Sequence, residues 1–468
     1  MTDLINRILL LLFFVCYFYQ FLYLAVSLLP PRKRKTVSLA AEDPVPDVPP
    51  MRVAVLIAAR NEEAVIGALL DSVRAQDYPA EYLSVFVGAD SCTDGTAAAA
   101  RAHGAVVYER NTVTDPASAG KCGKGYVLHF LIDTLHREYG KDAFDAYLIL
   151  DADNLLEPDF LSRITKTCRQ GYGAVTCYRN SKNYGDNWVS AGYALWFLRE
   201  ARYLNGARAA LGSGCAVSGT GFLVTQHTLD VCGDGSWNWF LLTEDIEFTV
   251  LCTVKGIRIG YCPDAVLYDE QPTRFSQSWT QRLRWSRGYL QVFRVYGRSL
   301  IRGIFRRCKA GTEEERRENL RTRFSCYDMT MNILPAAVLS AAGLVNNLTA
   351  GILSFLHDDG GIGGVLLSAA GTFGGFLGTL FFLGAVTALT ERKRIRASGG
   401  EIVLSVFTFP FFMATYLPIC IASLFYDPGW KPIVHEKCMT AEELAAKKPV
   451  PRTESSPLGT TGVGRFHP

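Results

Sequence analysis

The stretch YLILDADN, residues 147–154, joins a short apolar run to two carboxylates. Residues 147–150 have the composition of a buried strand. Asp151 and Asp153 do not suit the interior of a sheet, because desolvating an unpaired charge is costly. At the carboxyl end of a parallel strand they would face the crevice in which open α/β sheets bind ligands, where two hard oxygen ligands suit Mg²⁺ or Mn²⁺ shared with substrate phosphates. Taken alone, the pair is explained equally well by an ordinary strand-to-helix turn with aspartate caps.

Strands and helices alternate on both sides of this stretch. Besides 147–150, strands are predicted at 53–59, 83–89, 105–108, 213–225, 257–262 and 265–268. Helices are predicted at 61–76, 125–139 and 188–211, with an alanine-rich helix that ends at His103. This order predicts an α/β fold with a doubly wound, mostly parallel sheet.

Length, charge and cysteine usage narrow the class of protein. The 468 residues are enough for two or three structural units, and the net charge of +3 is too small to indicate a nucleic-acid-binding protein. Basic residues concentrate between 274 and 323, where 14 Arg or Lys accompany four Glu. The 13 cysteines have no metal-ligand spacing, and we interpret them as reduced thiols in a cytosolic environment.

The first apolar segment, residues 8–29, is long enough to cross a bilayer core as a helix. A signal peptide is the alternative, but no small-residue cleavage site precedes Pro30. The basic run 32–35 follows at once, and by the positive-inside tendency it predicts that the next residues are cytoplasmic.

Further apolar segments occupy the carboxyl-terminal third. Segments 331–356 and 361–389 are separated by the acidic turn 357–360. The second segment is followed by Glu391-Arg392-Lys393-Arg394, a mainly basic run. This charge distribution predicts that the acidic turn lies outside the cell. The segment 402–426 contains Pro410 and Pro418, and it is either one kinked span or a re-entrant hairpin.

These features predict a multi-pass protein of the cell membrane with a cytosolic α/β domain. The regions are an N-terminal transmembrane helix (1–31), a basic, Pro-rich linker (32–50), the cytosolic domain (51–273), interfacial helices (274–330), a C-terminal transmembrane region (331–426) and a tail (427–468). The basic, aromatic stretch 276–307 is predicted to lie in the headgroup interface, with a solvated charged helix as the alternative.

Five polar motifs occur in or beside the cytosolic domain. They are Ala59-Arg60-Asn61-Glu62, Ala89-Asp90 with the turn that follows, Gly123-Lys124-Gly125, the pair Asp151 and Asp153, and Thr243-Glu244-Asp245 together with Gln281-Arg282-Leu283-Arg284-Trp285. Each motif alone has an ordinary explanation, such as a turn, a helix cap or a solvated charge.

Together, and in this order, the motifs resemble the family 2 glycosyltransferases, and most closely the membrane-embedded branch with the cellulose, hyaluronan and chitin-oligosaccharide synthases. The resemblance covers roughly residues 50–300 and the flanking spans. It implies a nucleotide-diphospho-sugar (GT-A) domain and transfer of a hexose or N-acetylhexosamine from a UDP-sugar, with inversion, to a growing polysaccharide. One departure is visible, because many relatives have two adjacent acids where this chain has Ala89 and Asp90.

The resemblance also implies a role for each motif. Ala59, Asn61 and Glu62 would hold the uridine with Asp90, which would contact the uracil edge, and Lys124 would lie near the donor. Asp151 and Asp153 would flank the diphosphate, and Asp153 would bind Mg²⁺ or Mn²⁺ most directly. Asp245 would be the general base, and Gln281, Arg284 and Trp285 would line the side of the acceptor and leaving group. Relatives also carry an aromatic or basic segment after the last span that touches the mouth of the active site. Trp430 would correspond to it if the segment 402–426 is re-entrant, but the expected role of Trp430 is that of a surface anchor.

Two other hypotheses fit the sequence. One is a transferase that adds a single sugar to a lipid-linked acceptor, and the other is a transporter or receptor with a nucleotide-sensing domain. The apolar segments are few for a transporter and lack paired repeats. The expected partners are therefore a nucleotide-sugar donor, a carbohydrate or lipid-linked acceptor and the lipid bilayer, with no nucleic acid.

Overall fold

The computed structural model describes residues 2–28, 48–114, 118–306, 311–357, 362–430 and 439–447. The predicted basic run 32–35, the acidic residues 358–360, and most of the linker and of the tail lie outside these residues. Every cysteine in the described part of the chain is a free thiol, in agreement with the expectation of reduced cysteines.

The strands are β1 (Val53–Ala59), β2 (Leu83–Asp90), β3 (Val106–Arg110), β4 (Ala146–Asp151), β5 (Leu155–Leu156), β6 (Ala174–Ser181), β7 (Phe222–Thr225) and β8 (Ile259–Asp269). They form one sheet in the order β3-β2-β1-β4-β7-β6-β8-β5. The half containing β1 to β4 is parallel, as predicted, whereas β7 runs antiparallel to both β4 and β6. The α/β class is therefore confirmed, and the mixed sheet has four parallel and three antiparallel pairings.

The helices are α1 (Thr2–Leu28), α2 (Ile66–Arg74), α3 (Thr96–Ala102), α4 (Lys124–Tyr139), α5 (Phe160–Cys168), α6 (Trp188–Arg199), α7 (Gly206–Leu211), α8 (Gln226–Gly233), α9 (Glu244–Lys255), α10 (Phe275–Ile304), α11 (Glu313–Ile333), α12 (Pro335–His357), α13 (Ile362–Thr390), α14 (Gly399–Ala414), α15 (Tyr416–Phe425) and α16 (Ala441–Ala446). A 3₁₀ turn spans Ala80–Tyr82, and the π-helix Glu200–Asn205 joins α6 to α7.

Both faces of the sheet are covered by helices. Along β1, Val53 and Val55 pack into the cluster that includes residues of α2 and α5, and Ala54 and Leu56 pack into the cluster that includes residues of α4 and α6. All four of these residues are fully buried. Because successive side chains of a strand point to opposite faces, β1 reads as a continuous apolar run with a buried core on each side.

Two boundaries differ from the prediction. The helix expected from residue 61 begins at Ile66, because Asn61 adopts a left-handed φ of 58° and its Oδ1 accepts a hydrogen bond from the Thr93 amide at 2.8 Å. The two late strands are one strand, β8, whose pairing with β6 is irregular around Pro263. Proline cannot donate a ladder hydrogen bond, which explains the irregularity.

Three helical segments in the described part of the chain are long and apolar enough to cross a membrane: Leu4–Leu28, Ala369–Thr390 and Gly399–Phe425. The predicted span 331–356 corresponds to α12, in which the apolar stretch Ala341–Leu353 is shorter. The predicted interfacial helix corresponds to α10.

The segment 399–425 consists of two helices that meet at Thr415, and both of its ends lie beside the α/β domain. Just before it, the Asn180 side chain donates a hydrogen bond to the Arg394 carbonyl at 2.9 Å. Just after it, the Trp430 ring lies against Gly123, and the Arg60 guanidinium lies 5.3 Å from the ring centroid. The chain thus leaves the domain and returns to it, the arrangement expected of the re-entrant alternative.

A buried ion pair connects the N-terminal helix to the rest of the protein. Arg208 donates from Nε to Asp328 Oδ2 at 2.6 Å, and both side chains are almost completely buried, with 1% and 0% exposure. The hydroxyl groups of Tyr19 and Tyr23 donate to the same carboxylate at 2.8 and 3.1 Å. One carboxylate on α11 therefore fixes α1 and α7 together.

We predict that Asp328→Asn lowers the stability of the folded protein by about 3–5 kcal/mol, because it leaves the Arg208 charge buried without a counter-ion. The measurement is thermal unfolding of the purified protein in detergent, followed by intrinsic fluorescence. The control is Glu313→Ala, which removes exposed ion pairs with Arg316 and Arg317 and is expected to leave the melting temperature unchanged. Equal melting temperatures for wild type and Asp328→Asn would contradict this role of the pair.

Candidate active site

A cleft opens at the carboxyl ends of β1, β2 and β4. The space among its lining residues measures about 1650 Å³, including the part open to solvent. Ala58 and Asp151 are partners in the register of β1 and β4, so the motifs that follow these strands lie side by side. All of the predicted site residues line the cleft except Asn61, namely Ala59, Glu62, Asp90, Lys124, Asp151, Asp153, Asp245, Gln281, Arg284 and Trp285.

Asn61 has a structural role instead. Its left-handed backbone and its hydrogen bond to Thr93 join the loop after β1 to the loop after β2. The neighbouring Glu62 amide donates to Thr96 Oγ1 at 2.8 Å, which connects the same two loops. Asn61 therefore does not line the cleft itself, and its contact with the donor stays a prediction.

Lys124 forms an ion pair with Asp151 and donates a hydrogen bond from Nζ to the Gly219 carbonyl at 2.7 Å. The flanking glycines explain how the lysine reaches this point. Gly123 adopts a φ of 123°, which side-chain-bearing residues rarely adopt, and a Cβ on Gly125 would collide with the Trp239 carbonyl. The lysine is thus placed at the first residue of α4 by backbone geometry that only glycine allows.

Asp153 is buried and held by its surroundings. Its Oδ2 accepts from the Glu270 amide at 2.7 Å, and its Oδ1 accepts from the Asn154 side chain at 3.2 Å. Asp151 is more open, with 37% of its side chain exposed. The described residues contain no group of three or more His, Cys, Asp or Glu that could hold a metal ion by themselves. Two carboxylates completed by substrate phosphates are a donor set that Mg²⁺ or Mn²⁺ accepts, so the residues present fit such an ion.

A second ion pair in the cleft was not predicted from the sequence. Arg179 donates from Nε to Asp269 Oδ2 at 2.6 Å, and its guanidinium lies 3.7 Å from the centroid of the Phe197 ring. Burial raises the pKa of Asp269 to about 6, although the Arg179 charge opposes this shift. The signal that could have identified Arg179 is the same one that identified Asp151, a polar residue at the carboxyl end of an apolar strand.

Asp90 is also held by two arginines, of which the sequence analysis missed Arg110. Arg110 donates to its Oδ1 at 2.7 Å, and Arg60 lies 3.9 Å from its Oδ2. Asp90 and Arg110 are register partners on β2 and β3, and both are buried. Burial raises the pKa of Asp90, while the charges of Arg110 and Arg60 oppose this shift.

Two adjacent carboxylates begin α9. Burial and the neighbouring charge of Asp245 raise the pKa of Glu244 to about 7, while Lys124 and Arg284 oppose the shift. Burial also raises the pKa of Asp245, and its own helix amides and the Lys124 charge limit that shift. A carboxylate with a pKa near the working pH is suited to accept a proton, so the electrostatics make this pair a candidate for general base catalysis.

The QRLRW motif divides between two environments on α10. Gln281, Arg284 and Trp285 line the cleft. The Gln281 Oε1 and the Arg284 Nε are buried and have no hydrogen-bond partner among the described residues. Arg282, by contrast, is buried against the segment 399–425, where it donates hydrogen bonds to the Phe412 carbonyl at 3.1 Å and to Thr415 Oγ1 at 2.7 Å.

Beyond Trp285 the cleft continues between helices. We name this part the inner arm; it is lined by Trp196, Glu200, Leu204, Tyr289 and Asn332. None of these residues belongs to a motif that the sequence analysis used. Glu200 and Leu204 lie in the π-helix, a rare helical form that is frequent at functional sites. Trp430 also lines the cleft, beside Gly123 and Arg60, which agrees with the segment described for the relatives and not with the expected surface anchor.

Comparison with known proteins identifies the domain. Residues 49–288 match the family model described as "Glycosyltransferase like family 2". Over 252 residues the chain is 27% identical to the beta-monoglucosyldiacylglycerol synthase of Synechocystis sp., a match that covers 54% of this chain and 50% of that protein. Over 262 residues it is 26% identical to an N-acetylglucosaminyltransferase of Rhizobium meliloti, which covers 53% of this chain and 58% of that protein. The chain thus spans about half the length of the curated relatives it matches.

A solved structure supports the fold. The mannosyltransferase PcManGT from Pyrobaculum calidifontis, determined in complex with GDP-Man and Mn²⁺, superposes with a TM-score of 0.54 at 17% identity, covering 91% of this chain and 99% of that one. The relatives do not assign the chain to the polysaccharide-synthesising branch that the motifs resemble. The family model, however, covers slightly more than half of the sequence, and the chain is a member of glycosyltransferase family 2.

Proposed function

We propose that this protein is a membrane-bound, inverting glycosyltransferase that moves a sugar from a nucleotide-sugar to a hydroxyl group of a lipid acceptor. The observation that carries the proposal is the composition of one cleft. The pair Asp151 and Asp153, the cation Lys124, the acids at the start of α9 and the polar atoms of the QRLRW motif all meet in it, although they come from distant segments.

On the donor side, Asp151 and Asp153 would hold Mg²⁺ or Mn²⁺, which when bound neutralises negative charge on a leaving diphosphate. Lys124 and Arg179 lie in the same part of the cleft, and each is paired with a carboxylate in the absence of substrate. Ala59, Glu62 and Asp90 line the end where the nucleoside would bind. We retain the role of Asp90 at the base edge, with its carboxylate orientation fixed by Arg110.

On the acceptor side, Asp245 would take the proton of the attacking hydroxyl. The raised pKa values of Asp245 and Glu244 favour proton uptake near neutral pH. Direct attack on the anomeric carbon inverts its configuration. Arg284 offers an unsatisfied N–H to anionic oxygens of the leaving group, and Gln281 offers an unsatisfied oxygen to acceptor hydroxyls.

Two observations favour a lipid acceptor. Three relatives are named for a diacylglycerol product, at 25–27% identity. The inner arm also ends among the apolar helices, because Trp196 lies 6.2 Å from the ring of Tyr416 on α15. We propose that the protein is located in the cell membrane with its catalytic domain in the cytosol, where the acceptor enters the cleft from the bilayer.

Extension of a polysaccharide is the second candidate. The complete QRLRW motif favours it, since Trp285 presents an indole in the cleft on which a sugar ring of the acceptor would stack. We place it second because of the relatives' names and because Trp196 and Leu204 form an apolar wall in the inner arm.

A donor screen tests the proposed activity. The full chain in detergent, with Mn²⁺ or Mg²⁺ and a lipid extract, is offered UDP-glucose, UDP-galactose, UDP-N-acetylglucosamine and GDP-mannose, and nucleoside diphosphate release is measured. We expect release from one of these donors together with a labelled product that partitions into organic solvent. A labelled product that stays in the aqueous phase as a polymer would support the second candidate, and binding without turnover would refute the enzyme assignment.

The metal assignment predicts that Asp153→Asn folds but transfers little or no sugar, because the substitution removes a charge that the ion requires. EDTA should silence the wild type, and added Mn²⁺ should restore it. Thermal unfolding with and without Mn²⁺ and UDP provides a second readout, in which only the wild type should be stabilised by the pair of ligands. Full activity of Asp153→Asn, or activity indifferent to EDTA, would contradict the assignment.

The acid pair predicts different effects for its two members. Asp245→Asn should abolish transfer and leave UDP affinity near normal, because the nucleotide would bind at other strands, whereas Glu244→Gln should be milder. The loss should appear in kcat more than in donor affinity. An inactive Glu244→Gln beside an active Asp245→Asn would identify Glu244 as the base.

The pH profile gives a separate test of the same pair. A base must be ionised to accept a proton, and burial raises the pKa of Asp245, so wild-type kcat should fall on the acid side at a higher pH than an ordinary aspartate would give. In Glu244→Gln the acid limb should move to lower pH, because Asp245 alone then determines it. A limb that does not move would show that Glu244 is not coupled to the base.

A further inference from the structure

The inner arm contains a charged group that neither the donor chemistry nor the base uses. The Glu200 carboxylate lies at the start of the π-helix and is only partly exposed to solvent. Within the described residues it receives no hydrogen bond and forms no ion pair. Its partial exposure and its place in the wall of the cleft leave it accessible to a ligand.

The cations nearest to Glu200 are each engaged elsewhere. Arg208 is held by Asp328 and Arg179 by Asp269. Arg199 donates to Gln20 Oε1 at 2.9 Å. Their charges partly offset the rise that burial produces in the pKa of Glu200, yet none of them contacts its oxygens. The carboxylate therefore remains available to a ligand in the arm.

Glu200 shares the arm with the proposed base. The charges of Glu200 and Asp245 affect one another, and both add to the effect of burial that raises the pKa of Tyr289. Three oxygen-bearing side chains thus face one space. An acceptor that reaches Asp245 with its attacking hydroxyl has Glu200 beside the rest of its headgroup.

The remaining wall of the arm is apolar and joins the membrane helices. Leu204 packs with Tyr19 and Tyr23 of α1, and Trp196 lies beside Tyr416 of α15. A molecule that fits both parts of the arm has a polar headgroup at the two carboxylates and an apolar tail along α1 and α15.

We propose that Glu200 accepts a hydrogen bond from a second hydroxyl of the acceptor, and that the acceptor is an amphiphile with a polyol headgroup, such as a glycosylated lipid. This rests on the proposed function, in which Asp245 takes the attacking hydroxyl. A diacylglycerol has a single hydroxyl, and engaging it at Asp245 would leave Glu200 covered by apolar groups without a donor, which is costly. A sugar ring on the lipid supplies the missing donor.

The test uses the full chain in phosphatidylcholine nanodiscs, which contain no sugar. Two acceptors are compared, dioctanoylglycerol and its monoglucosyl derivative, with the donor found by the screen. The wild type should favour the glucosyl lipid. Glu200→Gln should lower kcat/KM for that acceptor by about 10–100-fold, mainly through KM, and leave the affinity for UDP unchanged. The rate with dioctanoylglycerol should not fall, because the substitution removes the charge that this acceptor would cover without a donor.

A binding measurement keeps the test independent of turnover. Quenching of intrinsic tryptophan fluorescence by the glucosyl lipid should report weaker binding in Glu200→Gln even if no donor is turned over, so that failure of the proposed activity and failure of this site are distinguishable. The control is Glu247→Gln, a buried glutamate that accepts hydrogen bonds from the Phe240 and Leu241 amides. It should lower thermal stability but keep the preference between the two acceptors.

Two results would overturn the proposal. One is equal binding of the glucosyl lipid by wild type and Glu200→Gln. The other is an equal loss for both acceptors in Glu200→Gln, which would mean that Glu200 maintains the shape of the arm rather than recognising a hydroxyl.

Discussion

The ion pair between Lys124 and Asp151 is the contact on which the arrangement of the cleft depends. It joins the first residue of α4 to the last residue of β4, and the same ammonium binds the Gly219 carbonyl from a third segment. The cleft concentrates acids, and each buried acid needs a partner because desolvating a bare charge is costly. Arg110 serves Asp90 and Arg179 serves Asp269 in the same way. Under the proposed function, a bound diphosphate would compete for Lys124 and free Asp151 for a metal ion, so the pairs that balance the charges of the cleft would also suit it to an anionic donor.

The sequence predicted the donor half of the site better than the acceptor half, and the reason is physical. Asp90, Asp151 and Asp153 follow apolar strands, and a charge at the end of a buried strand is conspicuous. Arg110 also ends a strand, yet its role depends on its register with Asp90, which the sequence does not reveal. Glu200 and Tyr289 lie within helices, where a charged or aromatic residue is ordinary. The π-helix that turns Glu200 into the cleft has no compositional signature.

The accuracy of the fold prediction also differed between local features and features that depend on distant residues. The parallel strands β1, β2 and β4 were predicted nearly to the residue, because their apolar runs are continuous. The helix after β1 was placed five residues too early, because the left-handed turn at Asn61 depends on Thr93, a partner 32 residues away. The antiparallel insertion of β7 between β4 and β6 could not be predicted, since its short apolar run fits either direction.

Strand ends form the donor half of the cleft, whereas helices form the acceptor half, and this difference bears on acceptor specificity. The donor half consists of strand ends fixed by the sheet. The acceptor half consists of α10, the π-helix and the segment 399–425. Arg282 joins α10 to that segment through hydrogen bonds to the Phe412 carbonyl and to Thr415 Oγ1. Arg282 is fully buried and has no carboxylate partner among the described residues; its charge rests on a helix C-terminus and on aromatic faces such as Phe412, 4.4 Å away. Helices that pack against a membrane segment can differ in position without disturbing the sheet. Under the proposed function, the same donor chemistry could therefore serve different acceptors, and the inner arm rather than the family motifs would determine which acceptor binds.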